Sequence, residues 1–370
     1  MSETSTPPLL VSSARIALKN PSVVHELLCD HLAEHIQVKR HEDGALFVTD
    51  FGTARTDITG DTVLVALEST DETGLSFLKL MVAEHLLEFA GENQPTIRWS
   101  GDGKLGQLLP YFRELRVVSV ANVTPLMRRI VFHGHDIARF ASGGLHVRLL
   151  FPPAGITPPQ WPVNGEDGRP KWPQGAAKPE ARVYTIRFID IDKGEVTIDM
   201  LLHGDGEDHP APGAGFAQDA RPGDIIGMTG PFGGTLPEAR RYILLGDETA
   251  LPAIGRMLEA MPTTAEVSVF VEVSGPGEEQ DLPSSAHVTP CWLHRNGTDT
   301  NRPHALASAI RSHPWLDDGG VTPFIWAGCE QAQARDIRQF VLKEAGIARE
   351  TCSITAYWRQ GGAEDEATTD

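Results

Sequence analysis

The chain predicts three folded parts of different class: an α+β domain, a small antiparallel β-barrel, and an α/β domain with a parallel sheet. Three observations carry this. Residues 14–102 combine two amphipathic helical stretches with strands. Residues 112–238 hold short strands separated by turn residues, as in a small barrel. Residues 239–361 alternate strand and helix at βαβ spacing, which builds a parallel sheet with helices on its faces.

The elements follow in order. Residues 1–13 read as a disordered tail. "NPSVVHELLCDHLAEHI" opens a helix, with Asn20 at the N-cap and Pro21 at the first helical position. "ALFVTDFGTARTDITGDTVLVALES" reads as strands, and "ETGLSFLKLMVAEHLLEFAGE" as a second helix closed by Gly91. Glycine-rich residues 103–111 read as a linker to the barrel. Within the barrel, a Pro- and Gly-rich run between two strands ("PPAGITPPQWPVNGEDGRPKWPQGAAKPE") forms a long excursion. Residues 362–370 read as an acidic tail.

Composition narrows the function. With 370 residues there is room for two or three domains, and a formal net charge of −18 argues against general nucleic-acid binding. An anionic small-molecule substrate would then need a local basic cluster. No stretch reaches the roughly 18 apolar residues of a membrane span, and the N-terminus lacks a signal-peptide pattern. A cytoplasmic protein is expected. Cys29, Cys291, Cys329 and Cys352 are scattered with no Cys-x-x-Cys, which disfavours structural zinc and a four-cysteine cluster. "HLAEH" at 31–35 places His31 and His35 on one helix face. Solvated or structural histidines are the preferred reading, weak metal or iron-chelate contact the alternative, and no resident metal is expected.

The chemistry concentrates in four motifs. "PEARVYTIRFIDID" places Arg182, Tyr184, Thr185 and Arg187 on one strand, offering guanidinium, aromatic and hydroxyl groups within six residues. "LLHGDGEDHPAPGAGFAQDARPGD" contains His203, Gly204, Pro222, Gly223 and Asp224. "LLGDETALPAI" turns from strand to helix at Gly246, and "AYWRQGG" closes the last strand. A small barrel followed by a parallel sheet suits a flavin on the barrel and a nicotinamide at the carboxyl ends of the sheet.

These motifs resemble the siderophore-interacting proteins, FAD-containing, NAD(P)H-dependent ferric-siderophore reductases within the ferredoxin-reductase-like flavoproteins. The resemblance runs from about 112 to 361. Phe216 departs from it by standing where tryptophan is usual. Residues 14–102 resemble a small domain of unknown function found fused to that family.

The resemblance implies FAD as cofactor, NADPH or NADH as electron donor and a ferric siderophore as substrate, in intracellular iron acquisition. It assigns Arg182 to the flavin phosphates and Tyr184 and Thr185 to the isoalloxazine, where they act as the catalytic pair. Arg187, His203 and Gly204 join the flavin site, Arg187 with a structural ion pair as its alternative. Asp247, Glu248, Thr249 and Ala250 become dinucleotide contacts, and Trp358 shields the flavin or adjoins the nicotinamide. Arg128, Arg129, Arg148 and Arg295 are candidates for a basic rim that binds the chelate. Cys329 stands where the family usually has glycine, either near the nicotinamide or as a small buried filler. The alternatives are a general NAD(P)H-flavin or ferredoxin-type reductase and a non-enzymatic ferric-chelate-binding protein.

Overall fold

Leu10–Ala17 forms strand β1, although its first residues read as a tail. Its inward positions alternate as the small Ser12 and Ala14 before Ile16, so the period-2 signal is weak in sequence. In the computed structural model, which describes residues 9–202, 212–296, 305–316 and 320–360, β1 is an interior strand of a six-stranded sheet. The sheet order is β2-β3-β4-β5-β1-β6, with β2 Gln37–His41, β3 Gly44–Thr49, β4 Gly52–Thr59, β5 Thr62–Ser69 and β6 Trp99–Gly101. Helices α1 (Pro21–Ala33) and α2 (Glu72–Ala90) supply Leu28, Leu78 and Leu86 to a core with Ile16, Phe47 and Leu67. Asn20 precedes α1 in a left-handed conformation and its side chain makes no capping bond. Asp71 caps α2 by accepting from Gly74 N at 2.9 Å.

The chain forms two compact units, one of residues 1–112 with 153–179 and the other of residues 113–152 with 180–370. After β6 it enters strands β7 (Phe112–Asn122), β8 (Met127–His133) and β9 (His146–Phe151). It then returns to the first unit for the excursion, which carries a short hairpin of β10 (Val163–Asn164) and β11 (Pro170–Lys171). Lying between two barrel strands in the sequence, the excursion is expected to belong to the barrel domain. Its hydrogen bonds go to the N-terminal unit instead. Trp99 Nε1 donates to Asp167 O at 2.8 Å, Gly106 N to Asn164 O at 2.9 Å, and Asn164 N to Gln107 O at 2.8 Å. At Gly168 (φ +91°) a Cβ would stand 2.7 Å from Lys79 Cβ and 2.8 Å from Trp99 Nε1, so only glycine allows this approach.

The second unit continues with β12 (Glu180–Asp190), β13 (Glu195–Leu201), α3 (Pro212–Asp219) and β14 (Ile225–Phe232). A closed barrel of order β12-β13-β8-β7-β14-β9 results, filled by Ile130, Phe132, Val147, Leu149, Ile186 and Ile198. Phe216 of α3 stacks on Phe132 and meets Phe151, so the residue at the family's tryptophan position serves the barrel core.

A parallel sheet of order β17-β16-β15-β18-β19 follows, from β15 (Arg241–Asp247), β16 (Glu266–Val273), β17 (His287–His294), β18 (Phe324–Glu330) and β19 (Cys352–Trp358). Helix α4 (Leu251–Ala260) packs Ile254 and Leu258 against Leu244 and Val269. Helices α5 (Ala305–Arg311) and α6 (Gln331–Gln339) pack Ile310 and Ile337 with Ile243, Leu245 and Ile325. Barrel and sheet are joined at named points. Glu278 accepts from Thr124 Oγ1 and from Leu126 N at 3.1 Å. Arg256 of α4 donates to the Ile186 carbonyl at 3.2 Å.

Candidate functional site

Strand β12 pairs antiparallel with β9, so each residue of the Arg-x-Tyr-Thr strip has a defined cross-strand neighbour. Arg182 lies opposite Leu149, Tyr184 opposite Val147 and Thr185 opposite His146. Arg182 is half-buried and its Nη1 donates to Ala181 O at 2.8 Å, with Glu180 3.6 Å away. Tyr184 meets Phe151 edge-on, and at Gly213 of α3 a Cβ would stand 1.9 Å from its hydroxyl. The glycine therefore lets α3 approach the tyrosine. Thr185 is buried on the other face of the strand, as strand alternation requires.

The far side of this region is built by the end of β19. Tyr357 Oη lies 3.0 Å from His146 Nε2, while His146 Nδ1 lies 3.2 Å from Thr185 Oγ1. Trp358 donates its indole N–H to Asp247 Oδ2 at 2.8 Å. A Cβ at Gly328 would stand 2.9 Å from the Tyr357 ring, so the glycine of "WAGCEQ" makes room for this tyrosine. The adjacent Cys329 points away into the core, where burial pushes its thiol pKa up and leaves it unreactive. That is the buried-filler reading.

The strand-to-helix turn after β15 is organised from within. Asp247 Oδ1 accepts from Thr249 N at 2.9 Å and Thr249 Oγ1 at 2.5 Å, and Oδ2 accepts from Glu330 N at 3.1 Å as well as from Trp358. Burial raises the pKa of this carboxyl, while its hydrogen bonds oppose the shift. Glu248 accepts from Ser274 N at 2.7 Å and pairs with Arg295. The side chains of Asp247 and Glu248 are committed to the protein, so any dinucleotide contact there must come through backbone groups.

Several expected ligands are likewise occupied. Arg187 pairs with Glu259 at 2.7 Å and lies across Gly255 of α4, where a Cβ would be 3.0 Å from its guanidinium. It ties barrel to helix through the ion pair expected as the alternative to a flavin contact. Arg129 forms a two-bond pair with the buried Asp199, both contacts at 2.7 Å. Arg295 reaches Glu248 and lies 3.7 Å from Glu272. Neither is the free cation expected of a basic rim. Arg128 Nη1 donates to Gln218 O at 2.7 Å. Arg148 is exposed, its guanidinium 6.0 Å from the Phe232 ring, and it has no carboxylate partner among the described residues. His203 and Gly204 lie outside the described residues.

An open cleft of about 810 Å³ in the same unit is lined by Arg129, Arg187, Phe188, Glu259, Asp281 and Trp292, among others. Its two guanidiniums are already paired, and the Arg182–Tyr184–Thr185 strip does not line it. In the first unit, His31 lies 5.4 Å from His35 and 5.0 Å from His85 between ring centres. No three-residue group placed to hold a metal occurs among the described residues.

Family comparison matches residues 116–235 to the "Siderophore-interacting FAD-binding domain" and residues 239–361 to "Siderophore-interacting protein". The Vibrio cholerae ferric vibriobactin reductase ViuB is 31% identical over 259 residues, covering 69% of this chain and 92% of its own. The chain belongs to the siderophore-interacting protein family. An Escherichia coli protein described as an NADPH-dependent ferric-chelate reductase is 34% identical over 171 residues, 44% of this chain and 63% of its own. A solved siderophore utilization protein from T. fusca is 37% identical with TM-score 0.60, covering 69% of this chain and 95% of that one. Residues 13–100 match a separate bacterial family of uncharacterised proteins.

Arg182, Tyr184, Thr185 and His146 thus fall within the family's FAD-binding domain, and Asp247, Tyr357 and Trp358 within the segment that follows. His146 and Tyr357 were missed in the sequence. Tyr357 had a usable signal: beside Trp358 in a strand, it must point to the opposite face. His146 had none, because its importance depends on which strand β12 pairs with.

Proposed function

We propose that this protein is an FAD-dependent NAD(P)H oxidoreductase that reduces ferric siderophores and so releases Fe(II). The observation that carries the reading is the Arg182–Tyr184–Thr185 strip, which holds a guanidinium, an aromatic ring and a buried hydroxyl on one barrel strand next to the end of β19. This donor set fits a flavin dinucleotide: Arg182 for the phosphates, Tyr184 and Thr185 for the ring system. Bound there, FAD supplies the conversion between a two-electron hydride donor and a one-electron metal acceptor. The chain's part is to hold and orient. Backbone N–H groups after Gly246 suit the nicotinamide dinucleotide, while Trp358 is oriented by its bond to Asp247. The named activities of the ferric reductase relatives support the substrate class.

A ferric siderophore is the proposed substrate, with two Fe(III) reduced for each NAD(P)H oxidised. Arg148 is the proposed cationic contact, being exposed and uncommitted to a carboxylate among the described residues. The cytoplasm, where NAD(P)H is supplied, is the proposed site of action; no helix among the described residues is long and apolar enough to cross a membrane.

The test is anaerobic. Protein loaded with FAD is mixed with NADPH or NADH, and the flavin absorbance should bleach. Addition of a ferric siderophore should restore it, with Fe(II) trapped by a coloured chelator. Bleaching without Fe(II) formation would point to a different acceptor, and no bleaching would reject the oxidoreductase.

A further inference from the structure

Three hydrogen-bonding groups from three separate strands line up in the second unit. Thr185 Oγ1 on β12 is 3.2 Å from His146 Nδ1 on β9, and His146 Nε2 is 3.0 Å from Tyr357 Oη on β19. The imidazole is caged. Phe232 lies 6.2 Å away between ring centres, Tyr357 meets it edge-on at 5.4 Å, and a Cβ at Gly233 would stand 2.5 Å from His146 Cδ2. Burial, reinforced by the charge of Arg256, pushes the His146 pKa down to about 4. The ring is therefore neutral near pH 7, with one nitrogen a donor and the other an acceptor.

A neutral imidazole allows only two directions for the chain. If Nε2 carried the proton, it would donate to Tyr357 and Nδ1 would accept the Thr185 proton. The tyrosine proton would then have no protein acceptor, since Tyr357 Oη has no hydrogen-bond partner other than His146 among the described residues. If Nδ1 carries the proton, Tyr357 donates to Nε2 and Nδ1–H donates to Thr185 Oγ1. The phenol is the most acidic neutral donor of the three groups, so its strongest bond is to the bare imidazole nitrogen.

We infer that the chain runs from Tyr357 through His146 to Thr185, and that His146 is a positioning residue which leaves the Thr185 hydroxyl proton free to be donated to a cofactor acceptor. The consequence for FAD rests on the function proposed above. The oxidised isoalloxazine edge carries acceptors at N5 and O4, so a threonine held as a donor complements the oxidised ring. The direction of the chain is a property of the protein alone.

The decisive experiment is NMR of the full chain labelled with 15N-histidine, without FAD. His146 should show a protonated Nδ1 and a bare Nε2. Tyr357→Phe removes the donor to Nε2, so the Nε2–H form should appear. Nε2 protonated in the wild type, or His146 signals unchanged in Tyr357→Phe, overturns the inference. Circular dichroism confirms that the variant folds, and His146→Asn provides a second variant. With FAD added, both variants should bind it about 3–10-fold more weakly, the range expected for one neutral hydrogen bond, with shifted flavin absorption bands. Bands and affinity unchanged in both variants would overturn the role towards FAD. Wild-type protein that takes up no FAD would reject the cofactor reading instead, and that failure is measured on a different sample from the tautomer.

Discussion

Arg182 and His146 lie on the paired strands β12 and β9 but differ in what they can reveal. Arg182 belongs to a four-residue strip whose chemical variety is visible without any structure. It is half-buried, and a charge-assisted bond to a phosphate would be partly shielded from water. Arg182→Ala should therefore weaken FAD binding by about 1.5–3 kcal/mol, measured by fluorescence titration of the apoprotein. Unchanged affinity would remove Arg182 from the site. His146 makes a different prediction, about pH. Its folded pKa of about 4 lies below the ordinary histidine value of 6.5, so between these values the unfolded chain binds the extra proton. The stability it contributes is full above pH 6.5 and is lost as pH falls towards 4. Arg256 from α4, Thr185 from β12, Phe232 from β14 and Tyr357 from β19 face the ring, and Arg256 is the charge that reinforces the shift. His146→Gln should flatten this part of the stability profile in urea titrations at pH 4.5, 5.5 and 7. An equal loss in wild type and variant would show that the acid sensitivity lies elsewhere.

Elements are set by local signals where those signals are strong. Helix α2 begins where Asp71 accepts from Gly74 N and ends at Gly91, whose φ of +58° suits glycine. Asp71→Ala should cost about 1 kcal/mol and speed amide exchange in the first turn of α2, read by hydrogen-exchange mass spectrometry. Unaltered exchange would mean that packing of Leu75 and Leu78 holds the helix start without the cap. Strand β1 shows the opposite case. Its pairing on both sides, with β5 and β6, makes it part of the sheet interior, yet Ser12 and Ala14 gave its sequence no clear apolar alternation. Cross-strand hydrogen bonds decide its state, and propensity alone does not.

At the scale of the molecule, the excursion of residues 153–179 is the least expected feature. It is tethered at both ends to barrel strands but hydrogen-bonded to the N-terminal unit through Asn164 and Asp167. Deleting residues 1–102 removes Trp99 and Lys79, against which Gly168 packs. Limited proteolysis should then cut the truncated protein within 153–179 while sparing the full chain there. Replacing the excursion with a short Gly/Ser linker in the truncated protein should restore resistance and retain FAD binding. Equal resistance of full and truncated chains would show that the excursion does not depend on the N-terminal unit.

The sequence by itself determined the three classes of folded part, the placing of Arg182, Tyr184 and Thr185 on one strand, and the tight turn after Gly246. All are local: strand alternation, strand–helix alternation and a motif within one element are read along the chain. Only the tertiary structure decided which of the candidate cations have carboxylate partners among the described residues. Arg129 and Arg295 read as rim candidates beside Arg148, and Arg187 as a flavin contact or an ion pair, and carboxylates distant in sequence pair with each of the three. It also brought His146 within hydrogen-bonding distance of Thr185, and Tyr357 within hydrogen-bonding distance of His146, residues 39 and 172 positions from Thr185. Ion pairs and hydrogen-bond chains depend on distance in space, and one-dimensional spacing does not encode that distance until the strands are paired.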